Sequence, residues 1–249
     1  MTVASETITA SLLVIGDEIL SGRTKDLNIG YIADHMTSIG IDLREVRIVP
    51  DVEAEIVAAI NGLRHRYTYL FTTGGIGPTH DDITADSVAK ALGVEIDIDP
   101  RALSLMKPHY ESRGIELTPA RLRMARMPKG SELVANSVSI APGFMIENVI
   151  VMAGVPRIMH VMLDAVTPRL KTGRKMLSET ITLHRPEGEV GDMFAEHQSE
   201  HPAVSMGSYP FYKDQATYGT NLVLRSTDPE ALVLAVERLR GKLVKLGWL

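Results

Sequence analysis

Asp81 and Asp82 close the segment TGGIGPTHDD (73–82), in which three of four consecutive positions, 74 to 77, are glycine. Gly74, Gly75 and Gly77 carry no side chains and permit positive φ, so backbone N–H groups can turn inward around an anion. The helix expected next points its positive N-terminal end at the same place, which suits a phosphate. No Lys-Ser/Thr pair follows, and the spacing is not GxGxxG, so neither a nucleoside-triphosphate loop nor a dinucleotide fingerprint is present. Three further loops have related content: GDEILSG (16–22), VPD (49–51) and AGVP (153–156). They add Glu18 and Asp51 to the carboxylates. Anionic side chains beside an anion site are unfavourable unless a cation lies between them or one acts as a base. Oxygen-only ligands select Mg²⁺ or Mn²⁺ over zinc. Each feature also has a plainer reading. The glycines make an ordinary tight turn, Asp81 or Asp82 caps a helix, and Asp17 and Asp51 form turns before helices. The eight histidines are scattered and only His80 lies in this region, where a lone loop histidine faces solvent more often than it binds. The 12 methionines read as core filler.

Strands and helices must carry these loops. SLLVIG (11–16) is a continuous apolar run, as in a strand covered on both faces. Asp26 caps a helix with Ile29, Ile32, Met36 and Ile39 at helical spacing, and Gly40 ends it. DLREVRIV (42–49) is a strand, and after Pro50 a helix places Val52, Ile56, Ile60 and Leu63 on one face. YTYLFTT (67–73) is the third strand; Thr84, as a cap, opens a helix to Leu92 that Gly93 closes. Residues 100–130 read as helical and rich in Arg and Pro, and NVIVMAGVP (148–156) as a buried strand, a turn and the start of a helix to about Leu170. Strand-helix alternation of this kind predicts a doubly wound α/β fold with a mainly parallel sheet. In such sheets ligands bind beyond the carboxyl ends of the strands, where all four loops fall.

KTGRK (171–175) reads as a linker. Beyond it the order is β-α-β-β-α, a small α+β domain ending in an amphipathic helix with a proline in its first turn. The expected domains are therefore 1–172 and 173–249. With 45% apolar and 23% charged residues, the composition is that of a soluble globular chain. A net charge of −5 gives no basic field for nucleic acid, and RLRMAR (121–126) and RLRGKLVK (238–245) read as solvated helix faces. No apolar run approaches the roughly 20 residues of a membrane span. Absence of cysteine excludes disulfides, thiolate metal sites and a cysteine nucleophile, and fits a reducing cytoplasm. The expectation is a cytoplasmic protein with no nucleic-acid or membrane partner.

The loops together resemble the MoaB/Mog molybdopterin-binding domain, most closely the N-terminal domain of the competence/damage-inducible CinA family. The matching text is VIGDEILSGRTKDLN (14–28), VPD (49–51), TTGGIGPTHDDITADSVAKALG (72–93), LTPARLRMARMP (117–128, taken as helical), APGF (141–144) and GVP (154–156). SMGSYPF and the DPEAL helix are most similar to a related branch in eukaryotic FAD synthases. The resemblance implies catalytic Asp82 and Asp51, and a divalent metal (Mg, Mn or Co) on Asp82, Asp51 and Asp81. It implies ligand binding by Gly16, Glu18, Asn28, Thr73, Gly74, Gly75, Gly77, Pro78, Thr79, Pro142, Gly143, Gly154 and Pro156. The CinA branch implies metal-dependent hydrolysis of a pyrophosphate bond in ADP-ribose or FAD. The Mog branch implies molybdopterin binding or adenylylation, and a non-catalytic nucleotide-binding module is the third expectation. A homo-oligomer with a small nucleotide or pterin ligand is implied throughout. The family's PGxPxEM loop reads AGVPRIM here, with Ala153 for the proline and Ile158 for the glutamate, and the 249 residues contain none of the amidohydrolase domain common in CinA proteins. A bulky residue at Gly75 is expected to abolish ligand binding in a protein that stays folded.

Overall fold

The structure, a computed structural model, describes residues 7–212 and 218–249. The chain divides into two compact units, one ending at Gly173 and the other beginning at Arg174.

In the first unit β1 (Thr9–Ile15) leads into a short α1 (Asp17–Leu20) and α2 (Asn28–Ser38). There follow β2 (Asp42–Val49), α3 (Glu53–Arg64), β3 (Tyr69–Thr73) and α4 (Thr84–Leu92). Next come β4 (Ile96–Ile98), α5 (Pro100–Glu111), α6 (Pro119–Leu122), β5 (Arg126–Pro128) and β6 (Glu132–Val134). Finally β7 (Gly143–Ile146) and β8 (Val149–Met152) precede α7 (Pro156–Val166). The main sheet has the order β2-β1-β3-β8-β7-β6, with β1, β2, β3 and β8 parallel and β7 and β6 antiparallel to their neighbours. Strands 42–49 and 69–73 flank β1 in this one sheet.

Period-two alternation in β1 explains why both sheet faces are covered. Leu12 and Val14 join Ile32, Met36, Met159 and Met162 in one apolar layer, while Leu13 and Ile15 join Ile56, Ile60, Val88 and Ala102 in the other. Asp26 caps as expected, its Oδ1 accepting from the N–H groups of Asn28 (2.9 Å) and Ile29 (2.7 Å). Gly40 follows α2 at φ 78° and Gly93 ends α4 at φ 69°, the left-handed region that glycine tolerates.

Several expectations are corrected. Val52 is not on the buried face of α3 but precedes it and is exposed. Thr84 is not a cap but the first residue of α4; its hydroxyl donates to the Gly74 carbonyl at 2.9 Å. The segment 117–128 is not one helix: four residues of α6 give way to a 3₁₀ turn and then β5, which pairs with β4. RLRMAR is thus no solvated helix face. Arg126 forms a two-pronged ion pair with Asp86 (2.7 and 2.9 Å), and Arg123 donates to the Asp82 carbonyl at 3.0 Å.

The second unit contains β9 (Leu177–Leu183), α8 (Glu187–Glu200), β10 (Ser205–Tyr212), β11 (Tyr218–Ser226) and α9 (Pro229–Lys245). Its antiparallel sheet has the order β10-β11-β9, and its core gathers Ile181, Leu183, Val190, Phe194, Leu222, Leu224 and Leu239. Asp228 caps α9 through the N–H groups of Glu230 and Ala231. Pro210 lies within the edge strand β10, and exposed Glu179 lies in the other edge strand, β9.

Candidate ligand site at the carboxyl edge of the sheet

The ends of β1, β3 and β8 approach one another so closely that side chains are excluded between them. A Cβ on Gly74, at φ 101°, would lie 2.1 Å from the Ile15 carbonyl oxygen. A Cβ on Gly75, at φ 65°, would lie 2.2 Å from Thr84 Oγ1, and one on Gly154 would lie 3.2 Å from Gly74 Cα. Thr84 N–H donates back to Gly75 O at 3.0 Å, so the loop is closed on the helix that follows it. Gly74 and Gly75 therefore serve backbone packing, and a bulky residue at Gly75 would strain the fold itself. Gly77 is different: its φ is ordinary, and a Cβ there would meet the Asp82 carboxylate at 2.6 Å.

Asp82 does not cap α4, which has no side-chain cap. Its Oδ2 accepts from the N–H (2.8 Å) and hydroxyl (2.5 Å) of Thr79, closing a loop in which Pro78 and Thr79 are exposed. His80 points to solvent, as expected. Asp51 caps α1 instead, accepting from Asp17 N–H at 2.9 Å through Oδ2. Burial pushes the Asp51 carboxyl above its ordinary range; the Asp17 N–H opposes the shift, and the charges of Asp17, Glu18 and Asp81 add to it. Asp51 thus feels the charges of Asp17, Glu18 and Asp81, although among the described residues no three of these carboxylates converge to ligand distance, while Asp82 is turned onto Thr79. Asp51, Asp81 and Asp82 do not converge as a three-carboxylate cage among the described residues. The Glu18 carboxylate folds over Gly16, whose N–H donates to Val49 O at 3.2 Å.

On the β8 side, buried Asn28 donates through Nδ2 to Gly154 O at 2.8 Å, tying α2 to the AGVP loop. Its Oδ1, and the hydroxyl of buried Thr73 at the end of β3, have no hydrogen-bond partners among the described residues. Pro156 is the first residue of α7, where its missing N–H costs no helix bond. Gly143 lies inside the sheet, where a Cβ would meet the Val151 carbonyl at 2.3 Å, so the position requires glycine for packing. Ile158, at the position of the family's glutamate, packs against the apolar layer.

A shallow cleft joins Gly75, Gly77 and Asp82 to Arg123, Met124 and Pro142. Arg123 escaped the reading of the sequence because RLRMAR looked like helix surface. Its Nε is buried without a partner beside the glycine loop; Thr118 and Pro119 signal the start of α6, and nothing in the sequence marks its early end.

An open α/β sheet with glycine-packed loops and carboxylates at its carboxyl edge is followed by a small α+β unit, which defines a two-part α/β protein. Residues 11–172 match the family described as "Probable molybdopterin binding domain", and residues 175–247 match "FAD synthase, middle domain". The chain belongs to the molybdopterin-binding domain family and carries an FAD synthase middle domain after it. A protein from Pyrobaculum calidifontis is 33% identical over 249 residues, covering 96% of this chain and 95% of its own length. A CinA-like protein from Desulfosudis oleivorans is 35% identical over 80% of this chain, and this chain spans 51% of that protein. The crystal structure of CinA from Thermoplasma acidophilum superposes with a TM-score of 0.61 and 33% identity, over 66% of this chain and 99% of that one.

Proposed function

We propose that the first unit hydrolyses the phosphoanhydride bond of a nucleotide such as ADP-ribose or FAD, with a divalent cation bound at the carboxylate group. The observation that carries this reading is Asp51, partly buried, bonded to Asp17 N–H and raised in pKa by burial and by the charges of Asp17, Glu18 and Asp81. Gathered like charges fit a hard cation with oxygen ligands. Asp51 and Asp81 would hold Mg²⁺, Mn²⁺ or Co²⁺, joined by Asp82 if it leaves Thr79. The ion supplies charge neutralisation for the diphosphate.

The chain's own groups do the rest. Thr79 N–H, given up by Asp82, and the partnerless Arg123 Nε are donors for the diphosphate oxygens. Asp51, through the carboxylate oxygen not bound to the ion, would orient the attacking water and accept its proton. A water oxygen attacks one phosphorus, its proton passes to the carboxylate, and the bridging P–O bond breaks to leave two monophosphates. The pairing of this domain with an FAD synthase middle domain supports a nucleotide as the ligand.

A second reading, molybdopterin binding or adenylylation, is favoured by the partnerless Asn28 Oδ1 and Thr73 hydroxyl, which fit the polar edge of a pterin. Incubation with ADP-ribose, FAD, NAD and ATP, each with Mg²⁺, Mn²⁺ or Co²⁺, and chromatography of the products decides between them. AMP released from ADP-ribose or FAD is expected. No turnover of any substrate, with tight binding of a pterin phosphate, would favour the second reading.

A further inference from the structure

The sequence pattern H-x-x-E-H at 197–201 ends α8 in the second unit, far along the chain from the carboxylate group. Histidines four apart lie on one face of a helix, one turn above the other. Here His197 is fully buried and His201, just past the helix end, is 8% exposed. Their rings lie 4.6 Å apart between centroids, and Glu200 stands beside them with Oε2 3.6 Å from His197 Nδ1. A ring nitrogen from each histidine and a carboxylate oxygen of Glu200 fall within 4.8 Å of one another, the one such group of three among the described residues.

Hydrogen bonding decides what the buried nitrogens can do. His197 Nε2 lies 2.9 Å from the Ala235 carbonyl in α9, which can only accept, so Nε2 carries a proton and Nδ1 is the nitrogen left for a metal. That Nδ1 has no hydrogen-bond partner, and neither has buried His201 Nε2. Metal-ligating histidines show this arrangement: one nitrogen donates to a carbonyl and the other is held free. The loop beyond is fixed by Gln198, which accepts from Met206 N–H and donates to the Val204 carbonyl. The donors therefore sit on a rigid frame.

We infer that His197, Glu200 and His201 form a binding site for a first-row transition-metal dication of the zinc type, with a remaining coordination position open to solvent on the half-exposed Glu200 side. Two imidazoles and one carboxylate suit Zn²⁺ or Co²⁺ and not Mg²⁺, which prefers oxygen. Tetrahedral bonds of this kind place donor atoms about 3.3 Å apart, so the group must draw in from its spread of up to 4.8 Å to hold an ion. Lys242 is the competitor: its ammonium holds both oxygens of Glu200 at 3.0 and 2.8 Å.

The test uses the full chain after chelator treatment, titrated with Co²⁺ in excess Mg²⁺, so that the oxygen site of the first unit is occupied. One equivalent of Co²⁺ with the visible absorption of a four- or five-coordinate ion is expected, together with a rise in melting temperature. His201→Ala should abolish the absorption. Glu200→Gln, a change at a half-exposed side chain, should weaken binding at least about tenfold, as loss of one ligand requires. Lys242→Gln should tighten it by removing the competing cation. Absence of a Co²⁺ spectrum in the folded wild-type protein would overturn the inference. So would a spectrum unchanged by Glu200→Gln and by His201→Ala.

Discussion

Asp82 and Asp51 behave differently, and each makes its own prediction. Asp82 holds Thr79 through one oxygen, a contact that an amide oxygen can replace. Asp82→Asn should therefore change stability by less than about 1 kcal/mol in a denaturant melt. Hydrolysis should fall about a hundredfold or more if the carboxylate neutralises charge in the transition state. A fully active Asp82→Asn protein would remove Asp82 from the chemistry. Asp51 has a raised pKa, chiefly from burial, so between the ordinary carboxylate range and its raised value the folded state binds more protons than the unfolded state. Stability from this group then falls as pH rises through that window. Asp51→Asn keeps an acceptor for Asp17 N–H and removes the penalty. Its melting temperature at neutral pH should equal or exceed that of the wild type, and added Mg²⁺ or Mn²⁺ should raise it less. Thermal melts with and without the ion, at several pH values, check both statements.

At the scale of elements, the glycine loop separates into packing and ligand-facing positions. Gly74→Ala puts a methyl group into the Ile15 carbonyl at positive φ and should cost on the order of 3 kcal/mol. Gly77→Ala meets only the movable end of Asp82, so it should cost less than about 1 kcal/mol while lowering activity at least about tenfold. Urea melts paired with the substrate assay distinguish the two. Equal destabilisation at both positions would contradict this division. Most of the sheet was legible in the sequence because its strands are apolar runs followed by helices with regular spacing and glycine stops. Asp26, Gly40 and Gly93 do what their residue types suggest. The three-residue strands β4, β5 and β6 were not legible, since three residues show no period. Within the site, the loops could be read but not the directions of their side chains. Asp82 turning onto Thr79, Gly143 entering the sheet and Arg123 leaving the helix surface all depend on contacts distant in sequence. The spacing of His197 and His201 around Glu200 is visible in the sequence, but the burial of both rings, which gives it meaning, depends on packing against α9.

For the molecule as a whole, each unit has a separate apolar core, and 171–175 contains Lys171, Arg174 and Lys175, all exposed. Brief trypsin treatment should cut there first and leave two fragments that resist further digestion, read by mass spectrometry; initial cleavage inside either core would contradict two independently stable units. The small sheet of the second unit has one more consequence. Its β10 edge contains Pro210, which cannot donate a backbone hydrogen bond, and its β9 edge exposes the charge of Glu179. An incoming extended peptide would find an interrupted row of donors on one side and a carboxylate to desolvate on the other. At high concentration, growth of fibrils by strand addition to this unit is disfavoured at both edges of its sheet.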